Sequence, residues 1–200
     1  MPTANTRLAR LFRRTASVRS RDFVAAGITR SEISRMVAGG RLERIARGLY
    51  ALPGYRGSEH ETLATVARLS PGVVFCLLTA LRFHDLTTQS PWEVWIAIGN
   101  KQHPPRLDYP SLRTVRFSEA SLRHGVEVKV VDGVPLRVTS AAKTVADCFK
   151  FRNKVGLDVA LEALRDAWRA RRFTMDDLSR CSKICRVERV MRPYVEALVA

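Results

Sequence analysis

The chain has 200 residues, 46% of them hydrophobic and 26% charged, with 34 lysines and arginines against 19 carboxylates for a formal charge of +15. Such a composition can build a packed core, and it excludes a collagenous, disulfide-dense or intrinsically disordered chain. The balance of charge points to a polyanionic partner, and the absence of any apolar run near ~20 residues argues against a membrane span.

The first 15 residues lack the apolar run of a signal peptide, so the expected location is the cytoplasm. Leu8, Leu11 and Phe12 predict a first short helix. A second ends at Gly27, and a third begins after Thr29 and stops at Gly39-Gly40. Thr29 with Glu32 forms a capping box, in which hydroxyl and carboxylate each bond the other residue's amide. Ile33, Met36 and Val37 recur at helical spacing and should face a core, leaving Ser31, Ser34, Arg35 and Ala38 outside. Two β-like runs follow, Leu42 to Ala46 and Leu49 to Leu52, around Arg47-Gly48. Helix, turn, helix and hairpin in this order describe a winged helix-turn-helix.

That reading makes double-stranded DNA the expected partner. Small, hydroxylated and guanidinium side chains suit a helix entering a major groove about 12 Å wide. Candidate DNA contacts are Thr29, Arg30, Ser31, Ser34 and Arg35 on the recognition helix. Arg19 and Arg21 precede it, and Arg41, Arg44 and Arg47 lie on or beside the hairpin, placed for phosphates. Residues 1–57 hold 12 arginines, no lysine and three carboxylates, a net +9; the other 143 residues hold 22 bases and 16 acids, a net +6. The field is therefore concentrated where the reading helix lies.

The Pro53–Gly57 break (PGYRG) sets the expected domain boundary, giving residues 1–57 and 58–200. Ser58 and Glu61 suggest a capping box for a helix through Leu69. Val73 to Phe83 reads as a buried helix, and Trp92 to Ile98 and Leu112 to Phe117 as strands. Between those strands Asn100 to Pro110 is a loop, and Ser118 to His124 is a helical turn. Val126 to Thr139 reads as a hairpin. A three-residue loop, Val131 to Gly133, would pair Val130 with Val134, Val128 with Leu136 and Val126 with Val138 on one apolar face. Ser140 caps a helix to Phe151; after a link at Arg152–Gly156 come Leu157–Arg171, a helix capped by Thr174 and Asp177, and Ile184–Val199. The fold class is α+β: an N-terminal winged helix-turn-helix, then a helix-rich α+β domain with a small, mostly antiparallel sheet.

Catalysis finds little support. Glu127-x-Lys129 on a strand fits the metal-dependent nuclease pattern, which needs a preceding acid. Asp85 and Asp108 fall in expected loops, and His84 sits alone at a helix end. The four cysteines, Cys76, Cys148, Cys181 and Cys185, lack a Cys-x-x-Cys pair and read as reduced structural thiols. No metal or cofactor is expected. Arg165, Arg169, Arg172, Lys183, Arg186 and Arg189 offer a second basic surface.

Three segments carry a family resemblance: GGRLERIARGLYALPG (Gly39 to Gly54), CLLTALRFHDLT (Cys76 to Thr87) and VTSAAKTVADCFKFRNKVGLDVALEALR (Val138 to Arg165). With them the chain resembles the AbiEi-type antitoxins of bacterial AbiE (type IV) toxin–antitoxin operons. The resemblance implies a non-catalytic autorepressor that binds repeats in its own promoter. It also implies a C-terminal domain that counteracts a nucleotidyltransferase-like toxin, with or without direct contact. A stand-alone winged-helix regulator is the alternative, and a nuclease using Glu127 and Lys129 a further one.

Overall fold

A computed structural model describes residues 4–13, 15–55, 60–107 and 109–199. The chain divides into two compact units: Met1–Pro71 with Leu107–Pro110 and Val130–Leu136, and Gly72–Arg106 with Ser111–Lys129 and Arg137–Ala200. Among the described residues, no helix is long and apolar enough to cross a membrane.

The first unit opens with α1 (Ala4–Phe12), β1 (Ser17–Arg19), α2 (Ser20–Ala25) and α3 (Arg30–Ala38). β2 (Glu43–Ala46), β3 (Leu49–Ala51) and α4 (Glu61–Leu69) follow. Leu8, Val18, Phe23, Ile28, Ile33, Met36 and Leu42 form its small core, with Leu11, Phe12 and Tyr50 packed against it. Phe23 is central: its ring lies 6.1 Å from Phe12 and edge-on to Tyr50 at 5.9 Å. The three strands are antiparallel in the order β1-β3-β2, so the expected hairpin gains a third strand. β1 is too short, with Val18 its one large apolar residue, for alternation to reveal it. The proposed cap at Ser58 lies outside the described residues; α4 begins at Glu61 after His60.

The second part of the chain supplies β4 (Val74–Phe75), α5 (Leu77–Phe83), β5 (Val94–Gly99), β6 (Leu112–Phe117) and α6 (Glu119–Arg123). β7 (Val126–Val131), β8 (Val134–Thr139), α7 (Ala141–Lys150), α8 (Arg152–Val155), α9 (Leu157–Arg169), α10 (Met175–Cys185) and α11 (Glu188–Val199) complete it. The sheet order is β6-β5-β4-β8-β7. β5 pairs parallel with β6 and β4 parallel with β8, while β4 and β5 are antiparallel. The sheet is thus mixed rather than mostly antiparallel.

Four further expectations change. The apolar run from Val73 is not one helix: Val74 and Phe75 form the central strand, and the helix begins at Leu77. A short apolar segment buried on all sides has no period that separates strand from helix. The hairpin turns on two residues, not three. Asp132 and Gly133 both take positive φ, 49° and 70°, which is the type I′ geometry that matches strand twist. Val128 and Val130 are consequently exposed, while Val134, Leu136 and Val138 are buried. Finally, α10 runs through Cys185 and ends at left-handed Arg186, so the last helix starts at Glu188 and not Ile184. The expected link at Arg152–Gly156 itself contains α8.

α7 is the axis of the larger core. Every side chain from Ala141 to Phe149 is buried, including Lys143 and Asp147 at 0% exposure. Lys143 Nζ donates to both Asp147 carboxylate oxygens at 2.6 Å and lies 4.4 Å from the Phe117 ring centroid. Cys185 donates its thiol to Asp147 Oδ1 at 3.2 Å. Burial raises the Asp147 pKa despite this pairing.

Candidate nucleic-acid interface

α3 is set up by its ends. The Thr29 amide donates to Glu32 Oε2 at 2.7 Å, and the Glu32 amide donates to Thr29 Oγ1 at 3.3 Å, completing the capping box. These bonds from Thr29 hold the Glu32 carboxyl below its usual 4.5, with lesser help from Arg7 and Arg35. At the other end Gly39 and Gly40 stop the helix, Gly40 with φ of 66°. The turn before α3 needs Gly27 as well: its φ is 78°, and the Arg7 guanidinium donates to its carbonyl oxygen. A Cβ there would meet Arg7 Nη1 at 2.9 Å. Arg7 therefore ties α1 to the turn between α2 and α3, a positioning role that its place among many N-terminal arginines conceals.

With both ends fixed, the rotation of α3 follows from its apolar residues. Ile33 and Met36 are buried and Val37 packs beside them. Arg30, Ser31, Ser34, Arg35 and Ala38 face solvent. This face offers guanidinium and hydroxyl donors without bulky obstruction, the chemistry that reads guanine and adenine edges. Thr29 is exposed too, but its hydroxyl donates to Glu32 at 2.8 Å and lies 3.0 Å from Ser31 Oγ. A phosphate would have to compete with that cap.

The wing turns at Arg47 and Gly48, the latter with φ of 74°. Gly48 O accepts from the Ser20 amide at 2.9 Å, which ties the wing to the start of α2. Arg41, Arg44 and Arg47 are exposed. Arg30, Arg35, Arg44 and Arg47 form no ion pair with any described residue. Arg19 and Arg21 differ: their Nε atoms lie 3.8 and 3.7 Å from the Asp22 carboxylate, and the Arg19 side chain is only 15% exposed. Asp22, three residues into α2, was the sequence signal for that partial neutralisation.

The second set of basic residues is spread over several elements. Arg165 and Arg169 lie one turn apart on α9; Lys183, Arg186 and Arg189 surround the α10–α11 junction, and all five are exposed. Lys183 reaches Glu188 at 3.8 Å. Arg172 is also exposed, and its guanidinium donates to the His84 carbonyl at 2.7 Å. His84 Nε2 lies 2.7 Å from Thr139 O, and burial lowers its pKa below the usual 6.5. Glu127 and Lys129 pair with each other at 2.8 Å and border a cavity of about 540 Å³ with His84, Arg172 and Arg180. Among the described residues, no three His, Cys, Asp or Glu side chains are placed to share a metal ion. Asp85 follows α5 in a left-handed conformation, and Asp108 lies outside the described residues.

Comparison with known proteins places this geometry. No curated protein matches the chain. A crystal structure of the RV2827C protein from Mycobacterium tuberculosis is similar over 90% of this chain and 71% of its own, with a TM-score of 0.59 and 17% identity. That likeness is one of fold. Residues 7–53, which hold α1 to β3, match the family model AbiEi_4, described as "Transcriptional regulator, AbiEi antitoxin". The likeness to these regulators rests on that N-terminal segment, less than half of the chain.

Proposed function

We propose that the protein binds the promoter of its own operon through the winged helix-turn-helix and represses it, as the DNA-binding antitoxin of an AbiE-like pair. The observation that carries this reading is the solvent face of α3. It is a capped helix with Arg30, Ser31, Ser34 and Arg35 turned outward, beside a wing whose Arg44 and Arg47 have no ion-pair partner among the described residues. Arg35, Ser31 and Ser34 read base edges, while Arg30, Arg44 and Arg47 hold phosphates. Arg41 serves the same backbone role, Arg19 and Arg21 a lesser one because Asp22 shares their charge. Thr29 keeps the helix start in shape. The match of residues 7–53 to an antitoxin regulator model supports both parts of the reading.

The second part of the molecule, with its buried α7, counteracts a nucleotidyltransferase-like toxin encoded alongside. The six basic residues from Arg165 to Arg189 form its candidate contact with nucleic acid. Two experiments test these readings. A gel shift on DNA from upstream of the gene, with random competitor, must show competitor-resistant retardation. Coexpression with the adjacent gene must relieve a growth arrest that the adjacent gene causes alone; arrest that persists overturns the antitoxin assignment.

A further inference from the structure

β7 ends the five-stranded sheet, so among the described residues one side of its backbone faces no strand. Unpaired edges that carry apolar side chains are templates for another strand. Val128 and Val130 on this edge are 62% and 73% exposed, whereas Val94, Val115, Val134 and Val138 elsewhere in the sheet are buried. Proteins commonly guard such an edge with a charge that repels a second copy. Here Lys129 is a candidate guard, but Glu127 stands two residues before it and cancels it at 2.8 Å.

The order of residues goes further than cancellation. From Val126 the strand reads Val-Glu-Val-Lys-Val. Set against itself antiparallel about Val128, it places Glu127 opposite Lys129 of the copy and Lys129 opposite the copy's Glu127. Val128 meets Val128, and Val126 meets Val130. Opposite charges and paired valines on facing positions both stabilise a ladder. Other registers fail. Centring on Glu127 or on Lys129 sets like charges opposite, and a half-step puts charge against valine on the same face. We propose that β7 is a self-association edge, on which a second copy of this chain adds in the Val128-centred antiparallel register to form a two-fold pair. Such a pair joins two α3 helices in one particle, and binding at repeated half-sites then becomes linked.

The inference stands without the DNA reading, and its test uses the protein alone. Light scattering and sedimentation over a concentration series should show a monomer–dimer equilibrium. Glu127→Lys or Lys129→Glu should each raise the dimer dissociation constant about tenfold or more, since both cross-strand charge pairs become repulsive together. The double variant E127K/K129E restores opposite charges and should recover wild-type dimerisation. Cysteine placement reads the register directly. In the proposed pair, residue 128 lies about 4.5–5.5 Å, Cα to Cα, from its mate, within disulfide reach. Residue 130 lies about 14 Å from its own mate at four residues' offset. The native cysteines are buried, so mild oxidation should crosslink V128C and not V130C. A chain that stays monomeric at all concentrations overturns the proposal. So does a dimer indifferent to both charge reversals, or a V130C that crosslinks as fast as V128C.

Discussion

The residues before Ala51 and those after Gly72 carry similar kinds of charge and use it differently. In the helix-turn-helix, Arg30, Arg35, Arg44 and Arg47 project from a small core without ion pairs among the described residues. In the larger sheet-bearing part, Arg113 pairs with Glu93, Arg123 with Glu119, Arg180 with Asp177 and Arg192 with Glu196. Lys143 is drawn wholly inside beside Asp147. Exposed pairs of this kind contribute little to stability, but they remove the long-range field. Arg165, Arg169, Arg186 and Arg189 there also lack an ion pair among the described residues, so neither net charge nor a missing partner alone locates an anion-binding face; the reading proposed for α3 adds a capped helix and an adjoining wing.

The largest expected effect breaks the packed side of this contrast. Lys143→Ala leaves Asp147 buried and uncompensated, at a cost of about 3–5 kcal/mol. The three tryptophans, Trp92, Trp95 and Trp168, all lie after Gly72, so their emission in a urea titration reports this part alone. Replacing both partners, Lys143→Met with Asp147→Leu, should recover most of the loss. The deficit of the single variant should shrink as pH falls toward the ordinary 3.8, because burial raises the Asp147 pKa and the folded state takes up the proton first. An unchanged urea midpoint in Lys143→Ala would show that the pair is not buried as described.

Next come the arginines of the first unit. Arg35→Ala should weaken binding to the specific site by about 1–3 kcal/mol with little effect on random DNA. Arg47→Ala should weaken both alike and lower the salt slope by about 1. Equal losses on both DNAs from Arg35→Ala would move that residue from base edge to phosphate. Thr29→Ala, which removes the cap but no charge, should cost about 1 kcal/mol of stability and loosen specific binding only through the helix start. Circular dichroism melts separate that from a lost contact.

The smallest effect is a pH dependence centred on His84. Its folded pKa lies below the usual 6.5 because burial penalises the imidazolium. The folded state thus binds fewer protons than the unfolded one. Stability from this residue is full above 6.5 and declines as pH falls below that value. His84→Gln should flatten the slope of the urea midpoint in that window; an unaltered slope would place the titration elsewhere. Cys181 and Cys185, pushed up to about 11 and about 12 by burial, should stay unreactive to thiol reagents at neutral pH until the chain unfolds.

The helix-turn-helix was legible because its signals are local. Thr29 and Glu32 mark a start, Gly39-Gly40 an end, and Ile33 and Met36 the inner face. What escaped was set by neighbours distant in the chain. Val18 becomes a strand residue only beside Tyr50, and Val74 and Phe75 only between β5 and β8. A three-residue hairpin turn follows only if the valines of both strands share one buried face. An edge strand has no such obligation, and Asp132-Gly133 chose the turn by its own backbone preference. Lys143 and Asp147 did leave a signal, a lysine and an aspartate one helical turn apart in a segment otherwise apolar but for Thr144, but only packing shows that they pair inward.

The central claim is that α3 reads a specific site upstream of the gene. A fluorescence-anisotropy titration of the wild type and Arg35→Ala on labelled upstream DNA, each with excess random competitor, tests it most directly. Competitor-resistant wild-type binding that Arg35→Ala loses, with random-DNA affinity unchanged, is the predicted result. Binding that random DNA displaces as readily as upstream DNA would contradict it and leave only a basic domain without a target.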